Sequence, residues 1–106
     1  RAAPGLIDEP YRMKRYKPGQ YHGWHTDTGC ESSASRWLAA QWYFNDVEKG
    51  GELEFRVSGL TIDCVKGRLA IFPCGWTTPH RGRPPWSGNK YICTTFFRPE
   101  WRQDGN

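Results

Sequence analysis

The sequence predicts an all-β domain, about eight short strands closed into a barrel or a two-sheet roll with little helix. Three observations carry this expectation. Short β-prone runs alternate with Gly, Pro, Asn and Asp punctuation along the chain. No internal repeat, low-complexity tract or convincing amphipathic helix competes with that rhythm. Aromatic residues make up 15% of the chain, with six Trp, five Tyr and five Phe, against an apolar fraction of only 37%. Bulky rings fill an interior with fewer residues, and a chain so rich in them is not a disordered one.

The first run, residues 11–17 (YRMKRYK), ends at KPGQ, where Pro and Gly set up a turn. The second, 21–27, opens YHGWHTD and gives way to the polar stretch DTGCESSAS. Residues 36–45 (RWLAAQWYFN) suit a helix or a strand taken alone; the aromatic run before Asn45 and Asp46 favours strand. NDVEKGG then leads into 51–57 (GELEFRV), and Ser-Gly separates that run from 60–65 (LTIDCV). The sequence Lys-Gly precedes 67–73 (GRLAIFP), and PCG precedes a strand at 76–81. RPPWSGN introduces the last run, 90–98 (KYICTTFFR).

A chain of 106 residues makes one domain, expected over 1–106, with a single core. The net charge of +4 invites a nucleic-acid reading, but the basic residues are dispersed, the nearest approach to a patch being HRGRPPW at 80–86. A mildly basic solvated surface is the expectation, and nucleic acid an unfavoured partner. Four cysteines (Cys30, Cys64, Cys74, Cys93) show no CxxC or Cys/His zinc spacing, so they are read as free thiols in a reducing, cytoplasmic compartment. No apolar run approaches membrane-spanning length, and no membrane partner is expected.

Chemistry concentrates at three histidines, His22, His25 and His80, and one nearby carboxylate, Asp27. On a strand, side chains at i and i+2 share a face, so His25 and Asp27 can converge on one ion. HxD alone is common, and its ordinary reading is a surface His beside a turn-forming Asp. His80, in GWTTPHRG on a strand far downstream, supplies a third ligand if two sheets face each other. Two His and one carboxylate make the facial triad of non-haem Fe(II) oxygenases. Lys90 opens the last strand ten residues after His80. If it points inward, Ile92, Thr94 and Phe96 point inward with it, and a buried ammonium calls for a carboxylate partner.

YKPGQYHGWHTD, YFNDVEKGGELEF, KGRLAIFP and PHRGRPPWSGNKYICTTFF together resemble the Fe(II)/2-oxoglutarate-dependent dioxygenases of the prolyl 4-hydroxylase-like group, from about Tyr11 to Arg98. The resemblance implies a double-stranded β-helix, or jelly roll. It implies Fe(II) on His25, Asp27 and His80 as the catalytic centre, with Lys90 pairing with the far carboxylate of 2-oxoglutarate. Tyr16, Tyr43 and Thr94 are implied as further cosubstrate contacts, and Phe96 and Trp24 as walls of the substrate pocket. Ascorbate is left open as an accessory reductant. The implied reaction consumes O₂ and 2-oxoglutarate, releases succinate and CO₂, and hydroxylates a prolyl, other peptidyl or small amino-acid-like substrate. Asp27 argues against the related halogenases, which lack this carboxylate.

The chain also departs from the pattern. Relatives carry N-terminal helices that buttress one sheet, whereas little precedes Tyr11; Glu52 stands where relatives often have Thr; and PEWRQDGN is too short to build a lid. His22 has no family role and is expected to be exposed. Three alternatives stand beside the leading one, of which a non-enzymatic relic that binds a partner peptide in the groove is disfavoured by the intact ligand set that the resemblance implies. A cupin-type binding module would favour His-x-His, against Asp27. A nucleic-acid base demethylase of the same superfamily is encouraged by the basic charge, but such enzymes usually bind the cosubstrate with Arg.

Overall fold

In the computed structural model, which describes residues 5–100, the chain forms nine strands. They are β1 (Gly5–Asp8), β2 (Arg12–Tyr16), β3 (His22–His25), β4 (Leu38–Tyr43), β5 (Leu53–Phe55), β6 (Thr61–Ile62), β7 (Leu69–Pro73), β8 (His80–Gly82) and β9 (Lys90–Glu100). All pairings are antiparallel, and among the described residues the only helical element is a 3-10 turn at Glu31–Ser33.

The larger sheet runs β1-β9-β4-β7, with β2 also pairing on β9. β1 takes the end of β9 from Phe97 to Glu100, and β2 takes the beginning from Lys90 to Thr94. The smaller sheet runs β3-β8-β5-β6. The two face each other over an apolar layer. Leu53 and Phe55 of β5 meet Ala39 and Phe72 of the larger sheet, while Tyr43, Ala70 and Ile92 pack with Val47 and Cys64. Phe55 and Phe72 lie edge to face at 5.0 Å. Burying each ring contributes about 1.5–3 kcal/mol, so this contact is a main tie between the sheets.

The pattern LAIFP shows why the layer forms on one side. Ala70 and Phe72 are buried while Leu69 and Ile71 are 44% and 57% exposed on the outer face. β4 is a strand rather than a helix because β7 and β9 pair with it on both sides, which satisfies its backbone twice over. The four cysteines are free thiols. No helix among the described residues is long and apolar enough to cross a membrane.

The structure differs from the sequence expectation at several ends. β1 was not anticipated: GLID has no flanking turn of its own and is drawn into the sheet by β9. The strand expected over 76–81 begins only at His80, because residues 76–79 turn around Gly75 and the Thr78 hydroxyl donates to the Pro73 carbonyl. The run 51–57 shortens to Leu53–Phe55, since Gly51 holds φ at +76° and a turn starts at Arg56. The end of the tail, residues 101–106, lies outside the described residues.

Candidate metal centre and cosubstrate cavity

A cavity of about 430 Å³ opens between the sheets, and alternation decides what lines it. From β9 it receives Lys90, Ile92, Thr94 and Phe96; from β2, Arg12, Lys14 and Tyr16. These register across the ladder as Arg12 with Thr94, Lys14 with Ile92, and Tyr16 with Lys90. The smaller sheet contributes His22, His25, His80 and Gly82.

β3 pairs His25 with His80 of β8, but the register slips between His22 and His25. That irregularity breaks the period of two, so His22 and His25 both reach the cavity although they are three apart. Trp24 is turned outward instead, under the Arg81 guanidinium at 4.6 Å, and does not line the cavity. This corrects its expected place as a pocket wall. His22 is exposed, as expected, yet it also rims the cavity and stacks on His25 at 3.8 Å. Asp27 is not on the strand either. It sits in the turn that follows, and the turn rather than alternation brings its carboxylate back to His25.

His25, Asp27 and His80 offer ligand atoms within 4.8 Å of one another. The Nδ1 of His25 lies 2.7 Å from the Gly23 carbonyl, and that of His80 lies 2.9 Å from the Thr78 carbonyl. A carbonyl can only accept, so each Nδ1 carries the proton and each Nε2 is turned to the centre. There, His25 Nε2 is 3.4 Å from one Asp27 oxygen and His80 Nε2 is 3.4 Å from the other. The hydrogen bond to Asp27 pushes His25 above its ordinary range, while burial pushes His80 below it. Two imidazole nitrogens and a buried carboxylate, held by backbone acceptors behind them, are a donor set suited to a divalent first-row metal with positions left open.

Lys90 is 2% exposed, and burial lowers its pKa. Its ammonium donates to the Gly51 carbonyl at 3.4 Å and lies 4.8 Å from the Tyr16 ring centroid. Two glycines border it. Gly51 presents its carbonyl from a φ of +76°, and a Cβ at Gly82 would stand 3.4 Å from Nζ. Thr94, four residues along on the same face, has a buried hydroxyl with no hydrogen-bond partner. An under-coordinated cation and an orphaned hydroxyl facing one cavity fit a ligand with an anionic, hydrogen-bonding end. Phe96 lines the cavity as expected. Tyr43 does not: it sits in the core beside it, burial pushes its phenol up to about 12, and its hydroxyl accepts from Gln41 Nε2 at 2.9 Å. From β4 the cavity receives Ala39, Ala40 and, as its one polar side chain, Gln41.

Sequence reasoning missed one more device. Arg36 binds Glu9 through two hydrogen bonds of 2.8 Å, donates to the Asp27 carbonyl at 3.1 Å, and lies over the Phe96 ring at 3.8 Å. It ties the ligand-bearing turn to the larger sheet. Glu9 and Arg36 are 27 apart in the chain, so no local motif announces them. The bond to Arg36 holds the Glu9 carboxyl below its usual range. The stability it supplies is therefore present above the ordinary carboxylate pKa and is lost as pH falls through the lowered one. Glu9→Gln is expected to cost about 1–2 kcal/mol at neutral pH, a difference that disappears in acid as the pH falls through the lowered carboxyl pKa. Urea denaturation at a series of pH values checks this; a pH-independent difference would contradict it.

The model of the 2OG-Fe(II) oxygenase superfamily matches residues 11–98. No curated protein matches the sequence. Among solved structures, the chain is similar to a viral collagen prolyl hydroxylase of Paramecium Bursaria Chlorella virus-1, solved as its 2OG complex, with 28% identity and a TM-score of 0.75 over 92% of this chain and 62% of that one. It is also similar to a Pseudomonas putida prolyl-4-hydroxylase, with 26% identity and a TM-score of 0.71 over 85% of this chain and 52% of that one. A Trichoplax adhaerens prolyl hydroxylase shares the fold at 18% identity, with a TM-score of 0.77 over 90% of this chain and 46% of that one. The chain thus spans roughly half to three-fifths of the length of these structures. With the matched region running from β2 into β9 and taking in all three converging ligands and Lys90, the chain belongs to the 2OG-Fe(II) oxygenase superfamily.

Proposed function

We propose that this protein is an Fe(II)- and 2-oxoglutarate-dependent hydroxylase acting on a prolyl or other peptidyl residue, or on a small amino-acid-like substrate. The observation that carries the reading is a single cavity with a His, Asp, His donor set and a buried, nearly unpartnered ammonium at Lys90. His25 and His80 would hold Fe(II) through Nε2, and Asp27 through its carboxylate. Lys90 would take the far carboxylate of 2-oxoglutarate, the Tyr16 ring would flank it, and the Thr94 hydroxyl would offer a hydrogen bond further along the same cavity wall. When bound, the metal and cosubstrate supply an oxidation by O₂ that yields succinate, CO₂ and a hydroxylated product.

The chain's own work is placement and exclusion. The Gly23 and Thr78 carbonyls fix the two imidazole tautomers. Arg36 fixes the turn that carries Asp27. Phe72, Leu53, Ile92 and Phe96 give the cavity apolar walls that shield the reacting centre from water.

The test is spectroscopic. Anaerobic addition of Fe(II) and 2-oxoglutarate should give the weak visible band of the bidentate keto-acid chelate. Folded protein with no band would overturn the assignment. A screen by succinate release, with proline-rich peptides, free amino acids and methylated oligonucleotides in parallel, then separates the substrate classes; release with the oligonucleotides alone would replace the hydroxylase reading with a demethylase one.

A further inference from the structure

The wall of the cavity carries more positive charge than the metal and the cosubstrate can use. Four cations line it, Arg12, Lys14, Arg36 and Lys90, against one carboxylate, Asp27. Arg36 is already taken by Glu9. On the reading proposed above, on which this inference rests, Fe(II), Asp27, a 2-oxoglutarate dianion and the Lys90 ammonium sum to zero charge. Lys14 and Arg12 are left over.

Their placement is not that of ordinary surface charges. β2 alternates so that Arg12, Lys14 and Tyr16 face the cavity while Met13 and Arg15 face out. Lys14 pairs in register with Ile92, between the row that holds Lys90 and the row that holds Thr94. It is half-buried, and among the described residues no hydrogen bond or ion pair engages its ammonium. The same cavity wall carries Arg12 one row further along β2, and Asp27 and the three histidines line the cavity with it. Arg12 is more exposed and pairs in register with Thr94. Two cations on one wall of a cavity repel each other, an arrangement that an anionic ligand relieves.

We propose that Lys14, assisted by Arg12, binds a carboxylate of the primary substrate, so that the enzyme takes an acidic substrate whose negative group lies near the carbon that is oxidised. Two sources share this chemistry, the free α-carboxylate of an amino acid and an acidic side chain beside the target residue in a peptide.

The experiment measures binding by calorimetry to anaerobic protein charged with Fe(II) and 2-oxoglutarate. One pair of probes is N-acetyl-L-proline and N-acetyl-L-prolinamide. The other is the blocked tripeptides acetyl-Gly-Pro-Glu-amide and acetyl-Gly-Pro-Gln-amide. The acid of at least one pair should bind about tenfold tighter than its neutral partner, the size of one charge-assisted contact. The first pair reports a free carboxylate and the second an acidic side chain. Lys14→Gln should remove that preference, Lys14→Arg should retain part of it, and Arg12→Gln should reduce it less. Equal binding within both pairs, or no binding by either acid, overturns the inference while a normal chelate band leaves the oxygenase reading standing. A preference that survives in Lys14→Gln, with 2-oxoglutarate binding weakened instead, also overturns it, since the ammonium would then serve the cosubstrate. A missing chelate band removes the oxygenase reading and this inference together.

Discussion

His80→Ala is expected to abolish both the visible chelate band and succinate release, with iron affinity falling by more than about a hundredfold, beyond what loss of an outer-shell partner costs. The size of the effect follows from how little else can replace this imidazole. His80 is 5% exposed, its Nδ1 is committed to the Thr78 carbonyl, and its ring is packed against Phe72 at 4.8 Å and Phe55 at 5.8 Å. No other described histidine lies against the Asp27 oxygen that His80 faces; His22 stacks on His25 instead. Truncation also opens a hole in the layer between the sheets, worth about 2 kcal/mol of stability. His80→Gln keeps more of that volume and still removes the imidazole, so thermal melts of the two variants separate lost packing from lost coordination. Trp24→Phe is the matching control. That ring lies outside the cavity under Arg81, and both the band and succinate release should persist. A normal band in His80→Ala, or its loss in Trp24→Phe, would mean that the centre is built from other residues.

The two aromatic and histidine positions in that comparison show what the sequence made legible and what it hid. The convergence of His25, Asp27 and His80 and the inward Lys90 could be anticipated because their spacing is a local or fixed property of the chain: HxD, then His, then Lys ten residues on. The inward set Lys90, Ile92, Thr94 and Phe96 could be found because β9 is a long central strand with an unbroken period of two. Trp24 was placed in the pocket by resemblance, whereas alternation from the inward His25 turns it outward; the slip that nothing in YHGWHTD marks except a glycine instead brings His22 to the cavity. Tyr43, expected at the cosubstrate, is buried in the core instead, where its hydroxyl accepts from Gln41, which does reach the cavity. That contest between two inward residues of one strand is decided by packing against Val47, Cys64 and Ile92, which are distant in the chain. The Glu9–Arg36 pair and strand β1 were hidden for the same reason. Both owe their existence to partners 27 or more residues away rather than to their own neighbours.

Lys90→Met should produce two effects of opposite sign. In the presence of cosubstrate, the 2-oxoglutarate requirement should rise about a hundredfold, the usual cost of truncating one member of a buried charge pair, while iron binding is retained because the ligands do not depend on this side chain. Without cosubstrate the variant should melt at a higher temperature than the parent protein. A lysine at 2% exposure with one 3.4 Å bond to the Gly51 carbonyl is a buried charge held without a carboxylate, and a methionine of similar length fills the same space with no desolvation cost. The pH dependence gives an independent check on the cause. Burial lowers the folded pKa of Lys90 below its ordinary value, so the charged form is penalised in the folded state. That penalty is full at low pH and lifts as pH rises through the lowered pKa toward the unfolded one. The stability advantage of Lys90→Met should therefore shrink as the solution is made alkaline, and the 2-oxoglutarate affinity of the parent protein should fall over the same range as the ammonium loses its proton. Melting curves and cosubstrate titrations at matched pH values read both. If the variant is less stable at every pH, the ammonium is a structural tie between β9 and the Gly51 loop, and its place at the end of a cosubstrate site is lost.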